Sequence, residues 1–207
     1  MTTNIINQKQ KFFDRWAPNY DIIFTTIFYQ SLHKRLLEYV EFPENPYILD
    51  LGCGTGRLLH RFANKFPNLK GIGLDLSPEM LRQARLRNQH RERVIYKQGN
   101  AESMPFATAQ FDAVFNTISF LHYPNPQQVF MEVSRVLRVG GRFHLVDYKG
   151  REKNGLNSIP FSPNGIRFYT PSQREEFGRM AGLECIGHYY LLGSVILSIF
   201  VKKTDGE

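Results

Sequence analysis

The stretch "YILDLGCGTGRL", residues 47–58, decides how this chain is read. Tyr47 to Leu51 is an apolar run of strand length, and Arg57 to Phe66 brings Leu58, Leu59, Phe62 and Phe66 round at helical spacing. Glycines hold alternate positions, 52, 54 and 56, in the turn between them. Such a turn lets a ligand approach bare backbone and meet the first amides of a helix, which suits a nucleotide-like group.

Outward from this turn, strands and helices alternate. Strand Gly71 to Leu76 leads into a helix opened by "SPEM", with Ser77 as N-cap, Pro78 at the first helical position and Glu79 in the first turn. Strand Val94 to Gln98, strand Phe111 to Ile118, helix Gln127 to Leu137 and strand Arg142 to Tyr148 follow. The helix is expected to end at "RVGGR". Lys149 to Tyr169 reads as a loop, "TPSQREEFGRMAGL" as a capped helix, and "YYLLGSVILSIFV" as a hairpin turning at Gly193-Ser194. Two apolar, aromatic segments, roughly 8–16 and 21–40, precede the first strand. The alternation predicts an α/β fold, a doubly wound and mostly parallel sheet with an antiparallel pair at one edge. The expected layout is one domain over residues 1–207: an N-terminal helical segment (1–45), a core of alternating strands and helices (46–148), and a loop, late helix and hairpin (149–207).

Composition excludes several classes. A chain of 207 residues with 42% hydrophobic content can bury a core without staples. Two cysteines, Cys53 and Cys185, suggest neither a disulfide framework nor a zinc site, and no metal is expected. The start "MTTNIINQKQ" lacks a secretory pattern, which points to the cytoplasm. Tyr189 to Val201 is shorter than the about 20 residues of a membrane span. The net charge of +7 is concentrated between Arg57 and Lys97, where ten basic residues face three acids. A solvated helix surface accounts for this; the same surface would also attract anionic lipid headgroups or nucleic acid. Few aromatics interleave with these charges, which weighs against nucleic acid.

In a doubly wound sheet the ligand lies beyond the carboxyl ends of the strands. The first strand brings Asp50, Gly52, Gly54 and Gly56 there, the second Asp75, the third Asn100 to Glu102, and the fourth Thr117 to His122. The glycine pattern is G-x-G-x-G, with Arg57 where a dinucleotide fingerprint needs its third glycine, and no Gly-Lys-Ser/Thr of a P-loop follows. Asp75, at the end of the second strand, suits the hydroxyls of a ribose. A ribose without a diphosphate against the helix is the expected ligand.

"ILDLGCGTG", "GIGLDLSPEM", "QGNAESMPF", "FDAVFNTISFLHYPNP" and "EVSRVLRVGGRFHLVD" resemble, in order, the motifs of class I S-adenosylmethionine-dependent methyltransferases. The resemblance is closest to the branch with the ubiquinone and menaquinone C-methyltransferases. It implies S-adenosylmethionine as cofactor and S-adenosylhomocysteine as product. Gly52, Gly54 and Gly56, with Cys53 between them, would give room to the methionine part, Asp50 would lie near its ammonium, and Asp75 would hold the ribose. Leu76 and Met80 would pack on adenine, and Asn100, Ala101 or Glu102 would face its amine, with Thr117 also at the cofactor. Many relatives have Asp where this chain has Asn100; Asn still accepts a hydrogen bond through its carbonyl oxygen. Cys53 reads equally as a small packed residue, and Met80 as core.

Nine of the 28 aromatic residues fall within the first 42 positions. In the family this segment closes over the cofactor, so Phe12 and Trp16 are candidate acceptor contacts and Tyr20 a candidate catalytic residue near the sulfonium, with helix packing as the plain alternative. His122 is the candidate base. Phe161, Arg167 and Tyr169 in the later loop are further acceptor contacts. The fourth strand ends in "NTIS" and lacks the Pro-Pro-aromatic motif of many amino-group methyltransferases acting on DNA and protein, which favours a small-molecule methyl acceptor, aromatic or lipid-like. An RNA-modifying methyltransferase using the basic surface and a non-catalytic cofactor-binding subunit are the rival readings. The nucleophile, O, N or C, is left open.

Overall fold

The computed structural model describes residues 2–17, 23–150, 158–159 and 165–203. Two helices come first, α1 (Thr2–Trp16) and α2 (Ile23–Leu36), the second continued by a short 3-10 turn over Leu37–Tyr39. Then follow β1 (Tyr47–Leu51), α3 (Arg57–Lys65), β2 (Lys70–Asp75), α4 (Pro78–Arg87), β3 (Val94–Gln98), β4 (Phe111–Thr117) and α5 (Pro126–Val136). The chain continues through β5 (Leu137–Tyr148), the two-residue strands β6 (Ser158–Ile159) and β7 (Ile166–Arg167), α6 (Pro171–Met180), β8 (Leu183–Leu192) and β9 (Val195–Lys202). One seven-stranded sheet has the order β3-β2-β1-β4-β5-β9-β8. Its first five strands are parallel, and β9 and β8 add the antiparallel pair at one edge.

Alternation along each buried strand divides the core between the two sheet faces. Leu49, Val114 and Phe143 pack with Phe130 of α5 and Phe200, while Ile48, Ala113 and Phe115 pack with Leu58 and Phe62 of α3 and Leu32 of α2. Three helices start with a polar cap followed by proline: Ser77 caps the Met80 amide, Asn125 the Gln128 amide, and Thr170 closes a capping box with Gln173. These caps fix where α4, α5 and α6 leave the sheet.

Two boundaries differ from the sequence reading. The fifth strand begins at Leu137, which pairs with Phe111, rather than at Arg142. The helix does end just before "RVGGR", at Val136, but that segment lies within the strand, because Gly140 takes a left-handed φ of 76° and lets the strand swing out and rejoin its partner at Arg142 opposite Ala113. The segment read as one loop contains the β6–β7 ribbon. The hairpin turns at Gly193-Ser194 as expected. Among the described residues no helix is long and apolar enough to cross a membrane.

Candidate functional site

β1 and β4 are neighbours whose connections leave to opposite sides, so a crevice opens between their carboxyl ends. A cavity of about 620 Å³ fills it, within the range of small-molecule sites. Gly52 and Gly54 form its floor. A Cβ on Gly54 would meet nothing within 4 Å, so this glycine leaves open space, and its φ of 52° disfavours any side chain. Gly52 is demanded by packing as well as by its φ of 71°: a Cβ there would clash with Ser119 Oγ. Ser119 belongs to a network in which Asn116 Nδ2 donates to Leu51 O at 2.8 Å and to Tyr123 OH at 2.9 Å, tying the end of β4 to the end of β1.

Asp75 closes one side. Its Oδ2 accepts from the Gly54 amide at 2.8 Å and its Oδ1 from the Ser77 amide at 2.9 Å, which aims the carboxylate into the cavity and leaves each oxygen further acceptor capacity. Leu76 and Met80 follow along the same wall, with Asn100 and Ala101 opposite. Asn100 Oδ1 accepts from the Glu102 amide at 3.0 Å, an Asx turn that holds the side chain in place.

A smaller cavity of about 40 Å³ adjoins at Gly52, Gly54 and Thr117 and is bounded by Asp50, Cys53, His33 and Arg57. Asp50 is 2% exposed, and its Oδ2 has no hydrogen-bond partner among the described residues. Burial, and secondarily the charge of Asp75, push its carboxyl up to about 8. An orphaned acceptor of this kind is matched by a cationic ligand group and is costly without one.

Beyond the strand ends the large cavity continues between α1, α2 and β5. Ile6, Lys9 and Phe13 recur at helical spacing on the inner side of α1, and Phe28, Tyr148 and Ile166 complete a mostly apolar chamber. Phe13 stands edge-on to His122 with ring centroids 4.9 Å apart. Lys9 is 4% exposed, and its Nζ donates to Gly165 O at 3.2 Å. Burial, with Arg167 second, lowers its pKa to about 8; burial, with Lys9 second, lowers that of His122 to about 3. Ile118, in the lining of the same cavity, has a φ of 52°, a conformation that a β-branched residue rarely adopts. Its amide donates to Val146 O at 2.8 Å, which holds the turn.

The cavity thus brings together Gly52, Gly54, Asp75, Leu76, Met80, Asn100, Ala101, Thr117, His122 and Phe12, while Asp50 and Cys53 border the smaller one. Four expected residues lie outside both linings. Gly56 is the left-handed N-cap of α3, packed under Tyr96; Glu102 accepts from the Asn125 amide; Arg167 is exposed, beside the Ile166 that lines the chamber; and Tyr169 sits in the core 5.3 Å from the Phe120 ring. Tyr20, Phe161 and the side chain of Trp16 lie outside the described residues. Lys9, Phe13, Phe28 and Tyr148 were not singled out by the sequence reading as site residues, and the helical recurrence of 6, 9 and 13 was the available signal for the α1 face; Ile118 falls within the expected Thr117–His122 strand end, but its left-handed φ has no sequence signal.

A seven-stranded sheet of this order, a glycine cradle without a phosphate fingerprint and a carboxylate at the end of the second strand define a nucleoside-binding α/β enzyme. Residues 48–141 match the model of a methyltransferase domain family. Demethylmenaquinone methyltransferase of Symbiobacterium thermophilum is 31% identical over 234 residues, which cover 95% of this chain and 93% of that protein. Malonyl-[acyl-carrier protein] O-methyltransferase of Hahella chejuensis is 42% identical over 95 residues, 46% of this chain and only 34% of the relative, so the likeness there is confined to about a third of that protein. Among solved structures, a chain of the complex between the Haloferax volcanii Trm112 methyltransferase activator and its methyltransferase superposes with a TM-score of 0.83 at 20% identity, covering 93% of this chain and 98% of that one, which shows the shared fold. The chain belongs to the class I S-adenosylmethionine-dependent methyltransferases.

The residues present fit that cofactor. Gly54 offers the open cradle, Asp75 has acceptor capacity for ribose hydroxyls, and the orphaned Asp50 oxygen matches an ammonium.

Proposed function

We propose that the protein methylates a small acceptor with an apolar, aromatic or lipid-like body. The observation that carries this is the chamber beyond the cradle, walled by Phe13, Phe28, Tyr148 and Ile166, with Lys9 and His122 among its polar groups. Relatives named for demethylmenaquinone and 2-phytyl-1,4-naphthoquinone methylation support an acceptor of that class.

The cofactor supplies a methyl group on a sulfonium, which makes it transferable to a nucleophile. Asp75 and Asp50 would anchor it at its ribose and ammonium ends, fixing the direction in which the methyl points. The apolar walls exclude water and hold the acceptor in line, the kind of positioning that contributes about 7 to 11 kcal/mol in well-oriented reactions. His122, with its pKa far below neutrality, is an uncharged acceptor that orients an acceptor hydroxyl. Lys9, with a pKa of about 8, lies nearer working pH and is the better proton carrier of the two.

An RNA substrate would instead use the basic surface, of which four residues are engaged within the fold. Arg93 is occupied with the carbonyls of Ala63, Phe66 and Leu69, Arg85 with that of Tyr96, Lys97 with that of Pro105, and Arg82 with Glu79. Incubating the protein with methyl-labelled cofactor and fractionated lipid, quinol and RNA pools tests it. Label is expected in a small organic-soluble product; label in RNA alone would overturn the proposal.

A further inference from the structure

Away from the crevice, where α6 lies on the edge strand β8, Glu175, Cys185 and His188 bring their donor atoms within 4.8 Å of one another. On a regular strand residues three apart face opposite sides of the sheet. Here the register shifts: Cys185 is opposite Phe200 and Gly187 opposite Ile199, so Ile186 is an extra residue, and this bulge turns His188 to the side of Cys185. His188 Nε2 lies 2.9 Å from Glu175 Oε1 and 3.6 Å from Cys185 Sγ.

Both partners meet the same ring nitrogen. A relay that moved the thiol proton to a carboxylate would use the two nitrogens separately. Three donors round one point instead describe a coordination corner. Zinc bonds of about 2.0 to 2.3 Å in tetrahedral geometry set neighbouring donors roughly 3.3 to 3.7 Å apart. The sulfur–nitrogen separation already falls there, and the nitrogen–oxygen separation needs to open by only a few tenths of an ångström. The other ring nitrogen, Nδ1, is 2.9 Å from the hydroxyl of Ser198, a fully buried residue whose Oγ also accepts from Arg174 Nη1 at 3.2 Å. Outer partners of this type fix the ring of a metal-bound histidine.

We propose that Glu175, Cys185 and His188 form a site for a thiophilic divalent cation, zinc above all, with a fourth position left to water. Thiolate, neutral imidazole and carboxylate together carry the two negative charges that a divalent ion balances, and the thiol proton leaves to solvent as the Zn–S bond forms. The Glu175 and His188 side chains are 54% and 21% exposed, so the ion has a way in. Once bound, it would clip α6 to β8.

Cobalt(II) titrated into the metal-free protein tests the site. One equivalent should give the near-ultraviolet thiolate-to-metal charge-transfer band and the visible bands of tetrahedral cobalt, both displaced by zinc. Cys185→Ser and His188→Ala should lose them, and Ser198→Ala should weaken affinity 10- to 100-fold, as removal of an outer-shell partner does. Calorimetric binding of S-adenosylhomocysteine at the parental affinity shows that each variant is folded. Absence of the bands in the parent, or the same bands in folded Cys185→Ser with only Cys53 left, would overturn the proposal.

Discussion

Under the proposed function, single side chains would carry the cofactor end of the site. Asp75→Ala removes acceptors for charge-assisted bonds and should weaken S-adenosylmethionine binding by about 1.5 to 3 kcal/mol; calorimetry returning the parental dissociation constant would take Asp75 out of the ribose role. Gly54→Val should be more severe, because its side chain fills the open cradle and its φ of 52° adds strain; the cofactor-induced thermal shift is the readout. Asp50 makes a prediction about pH. In the free protein its carboxyl holds a proton up to about pH 8, and a neighbouring ammonium would favour the carboxylate. Binding then releases a proton, and affinity should rise between pH 6 and 8 by up to about tenfold per unit. Calorimetry in buffers of different ionisation enthalpy measures that release directly, and Asp50→Asn should abolish it. Lys9→Met, which keeps the length and removes the amine, should lower turnover by about 10²- to 10⁴-fold if the amine carries the proton, with the cofactor's dissociation constant unchanged.

At the scale of elements, α1 is fastened to the cradle through Asp14. Its Oδ1 accepts from Ser77 Oγ at 2.5 Å and from the Glu79 amide at 3.4 Å, at the N-terminus of α4 where a negative charge is favoured. Ser77 also caps α4 and donates its amide to Asp75, so one residue links the helix over the chamber to the carboxylate beside the cradle. Asp14→Ala should therefore speed hydrogen exchange throughout α1 and reduce turnover more than cofactor affinity. Unchanged exchange in α1 would show that its apolar contacts alone hold it. Elements with strong local signals were legible in the sequence: the glycine turn after β1, the Ser-Pro, Asn-Pro and Thr-Pro helix starts, and the Gly193-Ser194 hairpin. The start of β5 was not, because a glycine pair reads as a breaker until the neighbouring strand shows that it is a bulge. Nor was the facing of β7, where a one-residue change of parity exchanges Arg167 for Ile166 in the chamber wall. The strand-end side of the cavity was legible because backbone-driven geometry confines it to strand ends, whereas the apolar side depends on how α1 docks, which no local pattern specifies.

The whole molecule also titrates. His144 is fully enclosed, stacked on Phe115 at 4.6 Å, and burial lowers its pKa from 6.5 to about 3. The unfolded chain therefore binds a proton that the folded one does not between those values, and folding stability is lost as pH falls through that window. Against the parent, His144→Phe should flatten the acid side of the stability profile by about 1.4 kcal/mol per pH unit between roughly pH 6 and 4. Urea titrations across that range give the slope, which is insensitive to any constant packing cost of the larger ring. An identical slope in parent and variant would mean that His144 is protonated in the folded state.

Ile118 holds a backbone conformation that costs of order 1 to 3 kcal/mol in a residue of its kind, in the lining of the cavity. Ile118→Gly relieves that cost and gives up the side chain that shapes the wall. Selection for stability at this position therefore weighs relieved strain against the lost packing of a partly buried side chain, and any sturdier variant it finds should be a poorer catalyst.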